Sequence, residues 1–205
     1  SPEKLLIASS DYGNIIVTSD QFQGAFVIQN GTNLTFIHIP QFRPIQLSCA
    51  GDWFLTSGND STTTVFRLST MSEQYTTQSY RNNALCSCIN DTFKVHIIGV
   101  NDGSLIISSL GTGQTIQIID LDAIPTRVFV TPQWGFIIVE VTKTVDSISS
   151  QRLVLYNING IFIREQEISW KIKNWCFWTS PRGFDYMAIV TPKGNISVAE
   201  VFYLN

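Results

Sequence analysis

One turn recurs along this chain at intervals of about forty residues. "SD" at 19–20, "GND" at 58–60 and "VND" at 100–102 each close an apolar, β-branched run, and Asp20, Asp60 and Asp102 stand 40 and 42 residues apart. A second set of turns keeps the same interval. Gly31 to Gly113 is 82 residues, two steps of 41, and Gly113 to Gly160 is 47. The excess in that last step falls in TKTVDSISSQ (142–151), which reads as a polar insertion between two strand-like runs. Between the turns lie short runs with the period of a β-strand and almost no helical periodicity. They sort into four groups of four runs and a last group of three.

A period of 40 to 45 residues with four strands per unit is the signature of WD40-type β-propeller blades. The expected fold is therefore all-β. One domain spans residues 1–205, with blades at about 4–40, 43–80, 83–121, 125–169 and 173–205, the last incomplete. Each blade has two apolar faces that only neighbours can cover. This accounts for a chain of 205 residues with 44% hydrophobic but only 14% charged residues and a mean hydropathy of +0.12. The WD dipeptide is absent: Gln29-Asn30, Leu68-Ser69, Ser108-Ser109, Tyr156-Asn157 and Glu200-Val201 stand in its positions. Rings of such repeats close with six or seven blades, within the range of four to eight. About two blades are thus expected upstream, residues 1–4 being too short to complete the last one, and an open edge is expected on this piece. In RLVLYNINGIFIREQEI (152–168), Asn159-Gly160 reads as a two-residue hairpin turn with positive φ at both positions.

Composition and motifs exclude several classes. A net charge of −3 argues against a nucleic-acid binder. No apolar run approaches the roughly 20 residues of a membrane-spanning helix. The start Ser1-Pro2-Glu3-Lys4 has neither an initiator Met nor a secretory pattern, and reads as a piece excised from something longer. On that reading Cys49, Cys86, Cys88 and Cys176 are reduced, buried thiols, and the sequons at Asn30, Asn33, Asn59, Asn90 and Asn195 are turn residues rather than glycan sites.

The chain also offers little to catalysis. His38 and His96 lie inside strand runs, and no nucleophile elbow, His-Glu-x-x-His or P-loop occurs. "GTGQTI" (111–116) is a hairpin turn. "CSC" (86–88) lacks a second ligand pair and fits small residues lining the propeller axis. "NWCFW" (174–178) puts Trp175 and Phe177 on one face, which suits packing between blades better than a ligand site. No metal, cofactor or enzymatic activity is expected. An enzyme or lectin propeller would carry acidic residues or histidines on several first strands, which here offer Ser, Cys, Ala, Val and Thr.

One pattern points to binding. Arg43, Arg81, Arg127 and Lys173 each precede a first strand, with Lys171 close by. These connections gather at one end of a propeller, so the cations would form a partial basic ring. It would suit an acidic or phosphorylated segment, or bring anionic lipid headgroups near. The alternative is ordinary solvated loop charge.

The last 80 or so residues carry a family resemblance. PTRVFVTPQWGFIIVEV, RLVLYNINGIFIREQEI and FDYMAIVTPKGNISVAEVF resemble the closing WD40 repeats of BEACH-domain proteins, the beige/neurobeachin group, and NINGIFIR (157–164) is the nearest match. The resemblance implies a large cytoplasmic scaffold, peripheral on membranes, with PH-like and BEACH domains upstream of the propeller. It implies action in vesicle trafficking, membrane and organelle organisation and protein localisation, with protein kinases among the partners and no catalytic residues in this region. The alternative is a propeller subunit of another complex, such as a coat or a ubiquitin-ligase adaptor.

Overall fold

A computed structural model describes residues 3–10, 13–41, 43–78, 83–146, 148–168, 172–193 and 196–204. Among them there is no helix: nineteen strands form five antiparallel sheets, four of four strands and one of three. Blade one is β1 (Leu5–Ser9), β2 (Ile15–Ser19), β3 (Gly24–Gln29) and β4 (Asn33–His38). Blade two is β5 (Pro44–Ala50), β6 (Trp53–Gly58), β7 (Thr62–Arg67) and β8 (Ser72–Gln78). Blade three is β9 (Ala84–Asn90), β10 (Val95–Val100), β11 (Ser104–Ser109) and β12 (Thr115–Asp120). Blade four is β13 (Ile124–Val130), β14 (Ile137–Val145), β15 (Ile148–Tyr156) and β16 (Phe162–Ile168). Blade five is β17 (Asn174–Thr179), β18 (Asp185–Lys193) and β19 (Ile196–Tyr203).

Within each sheet the strands lie in chain order. The first strands β1, β5, β9 and β13 stand side by side. A cavity of about 320 Å³ is lined from all five blades, by Ser9, Cys49, Asn90, Phe129 and Phe177 among others. This is the axis, and the fold is a β-propeller.

The second strands of blades two and three are buried on both faces: every residue of β6 and of β10 is buried. A strand covered on both sides reads as a continuous apolar run rather than an alternating one. The packing is blade on blade. Ile16 and Val27 meet Phe54 and Phe66, whose rings stack at 4.5 Å, between blades one and two. Leu55 and Val65 meet Ile89 and Leu110 between two and three, and Ile97 and Ile107 meet Val139 and Val154 between three and four. Blade five meets blade four through Met187 and Ile189 on Ile138, and Phe177 stacks on Phe129 at 3.7 Å. Among the described residues no apolar cluster joins blade five to blade one.

The repeated turns have a shared cause. Asp60 Oδ1 accepts from the Thr62 amide at 3.1 Å, and Asp102 Oδ1 from the Ser104 amide at 3.0 Å, so each carboxylate folds the chain back into the next strand. Asp20 differs, accepting from the Lys4 amide at 2.9 Å. Gly31, Gly113 and Gly160 share one left-handed conformation, with φ of 72, 72 and 71°.

Four expectations need correction. The Asn159-Gly160 turn has positive φ at Gly160 only. Asn157 Oδ1 accepts from the Asn159 and Ile161 amides, both at 3.0 Å, and its carbonyl from Gly160 at 2.9 Å. The glycine therefore forms a bulge after an Asn-held turn, with a register shift between Leu155 and Tyr156.

The polar stretch 142–151 is not a loop. Lys143, Thr144 and Val145 pair with Ser150, Ser149 and Ile148, extending β14 and β15 as a ribbon, because alternating β-branched residues satisfy their backbone across a ladder.

Cys86 and Cys88 do not line the axis. Their face of β9 turns to blade four and packs among Val128 and Val130, and burial pushes the Cys86 thiol up to about 12. Finally, Cys176 is exposed rather than buried, because its face of blade five meets no neighbouring blade.

Candidate interaction surfaces

Arg43 stands exposed immediately before β5, in a left-handed conformation with φ of 60°. Its segment is anchored by Gln41, which is fully buried, accepts from Thr56 Oγ1 at 2.8 Å and donates to the hydroxyls of Thr62 and Thr64. The Arg43 carbonyl accepts from the Asn59 amide at 3.2 Å. Lys173 is likewise exposed, immediately before β17.

Arg127 is placed differently from its expectation. β13 begins at Ile124, so Arg127 lies inside the strand. Its Nε is 3.5 Å from Glu140 Oε2, on a carboxylate that is almost wholly buried. Its Nη2 donates to the Lys173 carbonyl at 2.9 Å, and the guanidinium lies 5.9 Å from the Trp175 ring centroid. The structure thus brings Arg127 and Lys173 together and commits the Arg127 charge to the junction of blades four and five. Arg81 and Lys171 lie outside the described residues.

The histidines part company. His38 is exposed on β4. His96 is fully buried on β10, its Nδ1 3.3 Å from the Tyr75 hydroxyl. That hydroxyl has one proton and two carbonyl acceptors, Ser109 at 3.1 Å and Leu110 at 2.9 Å, so Nδ1–H donates to it. Nε2 is left without a partner, and burial lowers the imidazole from 6.5 to about 4. Among the described residues no group of three or more His, Cys, Asp or Glu is placed to hold a metal ion.

Two polar groups that lie between blades carry no signal in the sequence pattern. The Asn90 amide donates to the Val130 and Thr131 carbonyls at 3.3 and 3.4 Å, while its oxygen accepts from the Phe93 amide at 2.9 Å. Asp185, 1% exposed, accepts from the Gln133 and Trp134 amides at 3.3 and 3.2 Å and from Thr179 Oγ1 at 2.5 Å. Both tie one blade to the first turn of another.

No protein-family model matches the chain, and no curated protein matches it. Solved structures do. Hydrazine synthase from Kuenenia stuttgartiensis is similar with a TM-score of 0.71 at 12% identity, over 96% of this chain and 61% of that one. BBS1N, solved in complex with ARL6DN and soaked with mercury, is similar with a TM-score of 0.69 at 13% identity, over 91% of this chain and 61% of that one. At these identities the likeness is one of fold. The propeller spans about three fifths of the length of each of these chains. No helix among its described residues is long and apolar enough to cross a membrane.

Proposed function

We propose that this propeller is a protein-interaction scaffold, the WD40 region of a BEACH-type protein acting in vesicle and membrane trafficking, organelle organisation and protein localisation. The observation that carries the reading is NINGIFIR (157–164), the nearest match to that family. It occupies one structural unit, the turn held by Asn157 between the third and fourth strands of blade four. The fold supports a binding role, since BBS1N shares it and was solved in complex with ARL6DN.

On this reading the protein is non-enzymatic, and BEACH and PH-like domains lie in the same polypeptide. Its partners include protein kinases and acidic or phosphorylated segments. Those segments meet the end of the propeller that carries Arg43 and Lys173. Arg127 serves there by holding the Lys173 backbone rather than by presenting its charge.

The coding sequence upstream of Ser1 tests the assignment. A BEACH domain immediately N-terminal to the propeller is expected; a different domain there would favour the alternative, a propeller subunit of another complex such as a coat or ubiquitin-ligase adaptor. For the basic end, Arg43→Glu with Lys173→Glu is expected to abolish binding to phosphopeptides and anionic vesicles. Unchanged binding would remove that surface from the proposal.

A further inference from the structure

The two ends of the blade series present apolar sheet faces of the kind that every other blade buries. In blade one, Ile7, Val17, Phe26 and Phe36 pair across all four strands and therefore share a face. Ile7 is 65% exposed, Phe26 43% and Phe36 53%, and Leu5 and Leu34 beside them are 63% and 65% exposed. The Phe22, Phe26 and Phe36 rings lie 5.7 to 5.9 Å apart. On the opposite face Ile16, Ala25 and Val27 are fully buried against blade two. The two faces have the same chemistry, and one is covered. Burial of large apolar side chains is strongly favourable, so an exposed face of this size marks an interaction site.

Blade five shows the counterpart. Cys176, Trp178, Tyr186, Val201 and Tyr203 share its far face by register, with Trp178 stacked on Tyr186 at 5.4 Å. Its sheet stops at β19, whereas each other blade has a fourth strand. Beside that edge a trough of about 120 Å³ opens between β16 and β19, floored by Leu153, Leu155, Ile168, Ile189, Phe202 and Leu204. This trough continues the apolar core between blades four and five.

We propose that the gap between blades five and one is filled by further β-blades of the same polypeptide, one of whose strands pairs with β19 and drops alternate side chains into the trough. A blade fits both ends at once. Its two flat apolar faces repeat the packing already present between the other blades, and an added strand satisfies the open β19 edge. The span of three fifths of each similar propeller chain agrees with a partial ring. A second copy would instead stack blade five of one molecule on blade one of the next, a head-to-tail contact that does not close on itself as a pair. The inference is independent of the BEACH assignment.

The native thiols supply the test. In the polypeptide expressed from its complete coding sequence, Cys176 reports on the far face of blade five and a Phe36→Cys variant on that of blade one. Leu34→Cys serves if the Phe36 variant fails to fold. Cys86 and Cys88 are buried and provide the internal control for a folded state. Maleimide labelling of both reporters is expected to run at least about 100-fold slower in the native protein than in urea, as for groups that react only after opening. β19 amides are expected to exchange slowly throughout. Labelling of either reporter at the unfolded rate would overturn the proposal. So would protection that is lost on dilution, which would assign the face to a second copy, or protection that appears only with added anionic vesicles.

Discussion

Arg127 Nη2 donates to the backbone carbonyl of Lys173 at 2.9 Å, so a side chain in the first strand of blade four holds the chain where the first strand of blade five begins. The same guanidinium neutralises Glu140, which is 4% exposed, at 3.5 Å. One residue thus serves an ion pair and a junction between blades, and its Nη1, also buried, has no partner.

Arg127→Met is expected to destabilise the fold by about 3 kcal/mol, because it strands a buried carboxylate. Adding Glu140→Gln should recover part of that loss. Urea unfolding of the two single variants and the double variant checks this as a cycle; additive losses would contradict it.

His96 makes stability depend on pH. The folded protein holds it neutral, lowered from 6.5 to about 4, whereas the unfolded chain binds a proton near 6.5. Between those values the unfolded state carries more protons, so stability is full above about pH 6.5, falls as pH drops toward 4, and loses on the order of 3 kcal/mol in total. His96→Gln is expected to flatten this slope in urea midpoints measured from pH 7 to pH 4.5. A variant as steep as the parent would assign the slope to other groups.

Asp185 accepts from two backbone amides of the turn between β13 and β14 in blade four and from Thr179 of blade five. Asp185→Ala should cost about 2 kcal/mol, since the part-buried Gln133 and Trp134 amides and the Thr179 hydroxyl all lose their acceptor. Asp185→Asn keeps an acceptor and should cost less. Thermal unfolding of both variants ranks them, and equal costs would show that charge matters more than the acceptor.

The left-handed turn glycines predict an order. Gly31→Ala should cost about 1 kcal/mol, from backbone conformation alone, as a Cβ there meets nothing within 4 Å. Gly160→Ala should cost more, because its Cβ would come within 2.6 Å of the Gln117 side-chain amide. Chemical denaturation of the pair tests the ranking.

Much of the architecture was legible because a strand announces itself locally. LLIAS (5–9), ALCSCIN (84–90) and NWCFWT (174–179) each form a strand over their whole length, and turn residues such as Asp60 and Asp102 act on the amide two positions on. The errors arose where a segment's partner decided its state. The ribbon is polar because it runs on past its outer partners β13 and β16, yet residues 142–145 pair one for one with 148–151. The sequence pattern puts Arg127 ahead of a first strand, whereas the strand start at Ile124 is set by pairing with Thr142, a residue of that ribbon.

The sequence by itself determined an all-β chain of repeated four-stranded units, a last unit of three strands, and the turns that link them. These depend on the two-residue period of side chains and on the local chemistry of Asp, Asn and Gly. Only the tertiary structure decided which charges are committed and which faces are covered. Glu140 takes up Arg127, Asp185 binds a turn some fifty positions away, and Phe26 and Phe36 lie bare while Ala25 and Val27 are sealed. Alternation along a strand assigns residues to two faces, but whether a face is buried depends on what packs against it from elsewhere in the chain.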